Sequence, residues 1–232
     1  MIFDVNIGYG VWPFRTTVRT AALLVKRLGA ADITTGWVHS MENVWNFDID
    51  RCNSRLLQSW KKYPAFQAVP TLHEDYLQSL ALMKDSSVPA GIIYPSCHGF
   101  KISSLEALPK LLIELRKPLL IPLRQEDERN QHPLAKVAPV APEEVLELCR
   151  NFPGLRVIVL NAQKNEALTL LRARLENLYC DTAFIDAIEP FHAFAEEGLL
   201  GKLLFGSCAP LLEPLAAVMK HRDFGEFGAR FS

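Results

Sequence analysis

Leu119-Leu120-Ile121-Pro122-Leu123, then Pro142-Glu143-Glu144, then Leu155-Arg156-Val157-Ile158-Val159-Leu160: these pieces of one stretch decide the fold. The outer two are almost unbroken apolar runs, lacking the polar alternation of a strand with one wet face. Strands apolar on both faces belong to a parallel sheet covered by helices. Between them, a proline followed by two acids marks a helix start, where fixed φ and negative charge are both favourable. The stretch reads as strand, helix, strand.

The same alternation extends in both directions. Apolar runs recur at Ile2–Asn6, Ile33–Val38, Ala65–Val69, Gly91–Tyr94, Leu178–Asp181 and Leu203–Ser207, giving eight predicted strands. Helical periodicity is read over Thr16–Leu28, Asp75–Asp85, Ser104–Leu115, Asn165–Leu175, Ile188–Glu197 and Leu211–Lys220, with Gly29 as a stop for the first. No composition shift or linker divides residues 1–232, which predicts one α/β domain. Eight units favour closure into a single (β/α)8 TIM barrel. An open doubly wound sheet is the rival, but Gly8-Tyr9-Gly10 is followed by Val11-Trp12-Pro13-Phe14, without the third glycine of a dinucleotide loop.

Composition narrows the function classes. The chain has 232 residues, 25 basic against 26 acidic side chains and a net charge of −1, so it offers no electrostatic footprint for nucleic acid or anionic lipid. No apolar run approaches the roughly 20 residues of a membrane helix, and the first residues lack the pattern of a secretory signal. Cys52, Cys97, Cys149, Cys180 and Cys208 form an odd set without a Cys-x-x-Cys pair, which reads as reduced thiols and a cytoplasmic location.

In a barrel of this kind, chemistry gathers where strands end and the following loops begin. His39, His73, His98 and His132 all follow predicted strands, as do Asn6, Arg15, Glu42, Arg124, Asp127, Arg129, Asn161, Asp181 and Ser207. The richest segment is Arg124-Gln125-Glu126-Asp127-Glu128-Arg129-Asn130-Gln131-His132. Arg124, first out of its strand, is expected to face a pocket and fork onto an anion, with Glu126 and Glu128 mostly structural. The competing reading is an internal ion-pair network that shapes the loop. Tyr94-Pro95-Ser96-Cys97-His98-Gly99 holds a phenol and an imidazole near one another. His98 then either moves protons or hydrogen-bonds Tyr94 and fixes the loop. Trp12-Pro13-Phe14-Arg15 either walls a pocket or closes the barrel end.

These residues resemble the amidohydrolase superfamily, in its compact amidohydrolase 2 branch of metal-dependent hydrolases and decarboxylases. Ile2-Phe3-Asp4-Val5-Asn6-Ile7-Gly8 is similar to the first strand, which in the family ends in His-x-His. Leu203-Leu204-Phe205-Gly206-Ser207-Cys208-Ala209-Pro210 is similar to the last-strand motif Leu-Phe-Gly-Ser-Asp-x-Pro. Arg156–Asn161 resembles the sixth strand, and Asn177–Thr182 the seventh. The departures fall on the metal ligands: Asn6 and Gly8 stand at the first-strand histidines, Pro122 or Arg124 near the fifth-strand histidine, Asn161 at the sixth-strand histidine, and Cys208 at the last-strand aspartate. Amides are poor zinc ligands, so the resemblance implies a barrel that has lost the family's metal centre.

Three functions follow as expectations. The first is a hydrolase or lyase without that metal, acting on a small carboxylate-bearing molecule. Asn6, Arg15, His39, Tyr94, Arg129, Asn161 and Cys208 would bind it, while His98, Arg124, His132 and Asp181 would carry the chemistry. The second is a rebuilt zinc site using His39, His73, His98 or His132. The third is a non-catalytic ligand-binding or structural descendant, with Phe224, Phe227 and Phe231 offering a homodimer surface or merely core packing. Strand geometry adds that Asp4 and Ile2 share an inward face with Asn6, that Phe3 and Val5 meet the helices, and that an arginine such as Arg124 partners the buried Asp4.

Overall fold

The structure is a computed structural model that describes residues 1–187 and 189–221. Eight parallel strands run around it: β1 (Ile2–Tyr9), β2 (Ile33–Ser40), β3 (Phe66–Val69), β4 (Gly91–Ile92), β5 (Leu119–Pro122), β6 (Val157–Leu160), β7 (Leu178–Asp181) and β8 (Leu203–Leu204). The ladders β1-β2-β3 and β4-β5-β6-β7-β8 are joined at both seams. Parallel bridges link Thr71 to Ile92 and Ile7 to Ala209, and Val5 N–H and Gly8 N–H donate to the Phe205 and Ala209 carbonyls at 3.0 and 2.6 Å. The sheet has no free edge, and the fold is the expected (β/α)8 barrel.

Strand residues alternate between two apolar layers, as a closed sheet requires. Leu119, Ile121, Val157, Val159, Leu178, Cys180 and Leu203 pack outward on helical residues such as Leu108, Leu112, Val145 and Leu171. Ile33, Phe66 and Ala68 do the same against Leu24 and Leu28. The inner layer contains Val5, Trp37, Ile92, Leu120, Ile158, Leu160 and Leu204.

The first strand departs from the expected phase. Val5 belongs to the inner layer, and Phe3 sets its ring edge-on to Trp37 at 5.6 Å; neither meets the helices. The cause is a break in register between Asp4 and Ile7. Such a bulge adds a residue to one strand and turns the side chains beyond it, so Val5 and Asn6 both reach the interior while Ile7 packs outward. Simple alternation from Asn6 therefore misassigns Ile2, Phe3 and Val5.

The helices are α1 (Ala21–Gly29), α2 (Ile49–Trp60), α3 (Leu77–Ala81), α4 (Pro95–His98), α5 (Ala107–Glu114), α6 (Pro142–Asn151), α7 (Lys164–Arg172), α8 (His192–Glu196) and α9 (Pro214–His221). Pro142 opens α6 as expected. α1 starts at Ala21, five residues beyond the expected start at Thr16, because the Thr20 hydroxyl oxygen accepts from the Leu23 amide and caps it. α2 has no counterpart in the sequence reading, although it is the longest helix among the described residues. Ile188, Phe224, Phe227 and Phe231 lie outside the described residues, so the tail surface has no structural account.

Candidate active site at the barrel mouth

The ends of β1, β2, β6 and β7 converge on Asn6. Its Nδ2 donates to Asn161 Oδ1 at 2.8 Å and to Asp181 Oδ2 at 2.6 Å, while its Oδ1 faces His39 Nε2 at 3.0 Å. These partners fix the imidazole tautomer. Nε2 carries the proton and donates to Asn6, while Nδ1 lies 3.0 Å from the Tyr94 hydroxyl, whose single proton is shared between Nδ1 and the Ser40 carbonyl at 3.2 Å. Asn161 continues the network, with its amide N–H donating to Asp181 Oδ1 at 2.9 Å and its Nδ2 to the Arg124 carbonyl at 2.8 Å. Asn161 and Cys208, at two strand exits, adopt left-handed φ of 58° and 52°. For cysteine this conformation is strained by of order 1 kcal/mol, a feature that clusters at sites and clamps.

Burial governs the titration of this group. It raises Asp181 to about 6, against hydrogen bonds from Asn6 and Asn161 that pull the other way. It lowers His39 to about 4, keeping the ring neutral, and pushes the Cys208 thiol well up. Asp4 rises to about 7, again through burial. Among the described residues no arginine meets Asp4. Its Oδ1 accepts from the Asn6 and Ser207 amides at 2.9 and 3.1 Å, so raised basicity, rather than a salt bridge, is what relieves its burial.

Arg124 is buried as expected, but its charge is committed. Its two terminal nitrogens fork onto Glu166 at 2.5 Å each, and one also donates to the Asn161 carbonyl at 3.0 Å. Burial raises the Glu166 carboxyl, but Arg124 and the Gln163 amide outweigh it and bring the net value below the usual range. Glu166 comes from the first turn of α7, where it also completes a capping box with Gln163. Arg124 thus sits in an ion-pair network, with its close partner 42 residues away and the neighbouring Glu128 more distant at 3.9 Å.

Beside this network lies a small cleft with a cavity volume of about 20 Å³, lined by Trp12, Phe14, Trp45, Tyr94, Ser96, Cys97, Pro122–Glu126, Gln131, His132, Ala135, Val137 and Ala138. Its aromatic walls come from loops after β1 and β2, and its polar groups from the segment after β5. Trp12 and Phe14 do wall a pocket. Phe14 stacks on His132 with centroids 5.1 Å apart and planes at 13°. Glu126, read as structural, lines the pocket and is buried. Burial raises its carboxyl, opposed by Arg15 and the Trp12 indole, and Arg15 approaches Glu126 Oε1 at 2.9 Å.

The predicted site residues therefore separate into groups. Asn6, His39, Tyr94, Asn161 and Asp181 form one hydrogen-bonded chain, and Tyr94, Arg124 and His132 reach the pocket. Arg15 touches it through Glu126. Arg129 does not take part; its side chain is 88% exposed and held by Asp127 at 2.6 Å. His98 bonds the Asn43 carbonyl through Nε2 at 2.6 Å, and its backbone N–H donates to the Tyr94 carbonyl at 2.9 Å, so the bond to Tyr94 that fixes the loop is made through the backbone and His98 has no place in the pocket wall. Its ring lies near those of Tyr94 and His73, centroids 5.8 and 6.2 Å apart. Sequence reading missed Trp45, Gln125 and Glu166, and gave Glu126 the wrong role. The acidic start of α7 was the available signal for Glu166.

The residues at the mouth do not suit the metal centre of the family that the sequence resembles. Among the described residues no group of three or more His, Cys, Asp or Glu side chains could hold a metal ion, which also counts against a zinc site from the loop histidines. The donor set does not fit either. The Asn6 amide N–H2 sits between Asp181 and Asn161, where it offers protons to the oxygens a cation would attract, and the Cys208 thiol is protonated.

With this geometry in place, the chain is a (β/α)8 barrel in fold. No protein-family model matches the chain, and no curated protein matches it in sequence. Solved structures do. The 5-carboxyvanillate decarboxylase LigW from Sphingomonas paucimobilis is 10% identical with a TM-score of 0.71, covering 97% of this chain and 93% of that one. A protein described as amidohydrolase II is 14% identical with a TM-score of 0.69, covering 94% and 90%. The 5-carboxyvanillate decarboxylase from Novosphingobium aromaticivorans, complexed with manganese and 4-hydroxy-3-methoxy-5-nitrobenzoic acid, is 13% identical with a TM-score of 0.69, covering 97% and 90%. Likeness at this identity establishes a shared fold.

Proposed function

We propose that this protein is an amidohydrolase-like hydrolase or lyase that acts on a small carboxylate-bearing molecule without a resident metal. The observation that carries the reading is the aromatic-walled cleft beside the strand ends, with His132, Glu126 and Tyr94 in its wall. An imidazole donates or accepts a proton near neutrality, and His132, set by its stacking on Phe14, is the acid–base group. The aromatic walls exclude water and hold the substrate. Arg124 acts indirectly, pinning the β5 exit to α7 through Glu166. The Asn6 amide supports the metal-free part of the reading. The five cysteines, all unpaired, support a cytoplasmic location.

The test is a turnover screen of small carboxylates together with metal analysis by mass spectrometry. Expected are sub-stoichiometric metal, turnover unaffected by chelator, and a loss of roughly 100-fold or more in kcat for His132→Ala. Stoichiometric divalent metal with activity abolished by chelator would sink the proposal. A binding protein without turnover is the second reading, favoured by one observation: Arg124, Asp181 and His39 all have protein partners. It predicts ligand-induced thermal stabilisation with no product from any bound carboxylate.

A further inference from the structure

A second cavity lies on the helix side of the sheet, between the end of β1 and α2, and shares no lining residue with the aromatic-walled cleft. Its volume is about 70 Å³. A water needs roughly 10–15 Å³ of such volume, so there is room for about five water-sized atoms, the size of a tetrahedral oxyanion. Cys52, Arg55, Leu56 and Ser59 line it from α2 at spacings that put them on one helix face. Gly10 and Val11 line it from the start of the segment after β1, and Arg19 from that segment's end, beside the Thr20 cap of α1. The two feet of the 10–19 segment therefore meet at this cavity, while Trp12 and Phe14 between them wall the cleft.

Uncommitted donors outnumber acceptors in this wall. Glu42 is the acid there, and both its oxygens are engaged: Oε2 accepts from Arg55 Nη1 at 2.8 Å and Oε1 from the Val11 amide at 3.2 Å. Around the Cys52 thiol, Glu42 and Asp48 are balanced by Arg55 and Arg51. Arg19 is the surplus charge, and among the described residues no acid pairs with it. Arg55 donates to Glu42 from one terminal nitrogen, which leaves Nε and Nη2 for another acceptor. The Ser59 hydroxyl has no partner among the described residues. A guanidinium can grip two oxygens of one phosphate group at once.

We infer that this cavity binds a small tetrahedral oxyanion of the phosphate class between Arg19 and Arg55, and that the bound anion staples both feet of the 10–19 segment to α2. The site is separate from the cleft in which turnover is proposed, and it stands or falls independently of that reading. Through the stapled segment, its occupant steadies Trp12 and Phe14.

The probe is inorganic phosphate, titrated calorimetrically into the full chain with ionic strength held constant by chloride. One saturable site is expected, with acetate, which lacks the further oxygens, binding roughly tenfold more weakly. Arg19→Gln and Arg55→Gln should each weaken phosphate roughly tenfold, the loss of one charge-assisted contact. Arg150→Gln, on the exposed surface of α6, should leave it unchanged. Arg19 is exposed, so its replacement tests binding without disturbing the core. Hydrogen exchange across residues 10–19 should slow when phosphate meets the parent protein, and not when it meets Arg19→Gln. No saturable site, equal binding of acetate, or an affinity untouched by Arg19→Gln would overturn the oxyanion site, as would an equal loss in Arg150→Gln. Binding that leaves the parent's exchange unaltered would overturn the staple.

Discussion

Asn6 shows how one amide can organise a barrel mouth. Its side chain serves two acceptors and one donor at once, all in buried surroundings. Replacing it with leucine, of similar bulk, leaves Asp181 Oδ2, Asn161 Oδ1 and His39 Nε2 without that partner. Each orphaned group costs about 1–3 kcal/mol, so Asn6→Leu should lose about 3 kcal/mol or more in urea unfolding; an unchanged midpoint would refute the network. The residues of this chain were legible because each stands directly at a predicted strand end. Arg129 was misplaced because its neighbour Asp127 holds it outside, a choice that local sequence leaves open. Glu126 was misread because burial of a loop acid depends on the distant Trp12 and Arg15.

At the scale of elements, the eight strands could be read because a doubly covered strand is apolar on both faces. α2 escaped because polar residues dominate it: Asp50, Arg51, Asn53, Ser54, Arg55 and Gln58 leave few apolar positions, yet Ile49, Cys52, Leu56 and Trp60 fall on one buried face. Its Asn53 also turns inward, accepting from the Thr71 amide at 2.9 Å and donating to the Thr71 carbonyl at 2.8 Å. The bulge in β1 was equally hidden, since bulges follow from pairing with a neighbour. That pairing makes Gly36 indispensable: a methyl group there would collide with the backbone carbonyl of Asp4 and with Ile7. Backbone cannot step aside as a flexible side chain can, so Gly36→Ala should destabilise by about 2–4 kcal/mol, seen as a fall in Tm, whereas Gly29→Ala, with open space around it, should be close to neutral.

For the molecule as a whole, buried titratable groups set the pH response. Asp4 and Asp181 sit at about 7 and about 6 in the folded state, above the roughly 3.9 of an unfolded aspartate. The folded protein holds these protons more tightly, so their contribution is fully present below about pH 4 and is lost as pH rises through 6 and 7. His39 and His221, both lowered to about 4 by burial, act in the opposite sense: their contribution is present above about pH 6.5 and fades as pH falls towards 4. The two effects oppose each other over most of the acid range, leaving Asp4 to dominate near neutrality. Asp4→Asn should therefore gain stability relative to the parent as pH rises from 5 to 8, measured by denaturant unfolding across that range. A constant difference between the two would show that the Asp4 carboxyl does not titrate there. The burial of Asp4 was legible from its place in the strand, but its partners were not, because they are contributed in part by the far end of the chain.

The seam between β1 and the segment after β8 has a consequence for synthesis. Asp4 accepts from the amide of Ser207, a residue 203 positions later, so a nascent polypeptide leaving the ribosome carries a carboxylate whose shelter has not yet been made. Until the last ribbon emerges, the early ones present an unzipped flank to solvent, open to adhesion and to proteases. The closing stitch is thus also the moment at which the newborn chain becomes safe.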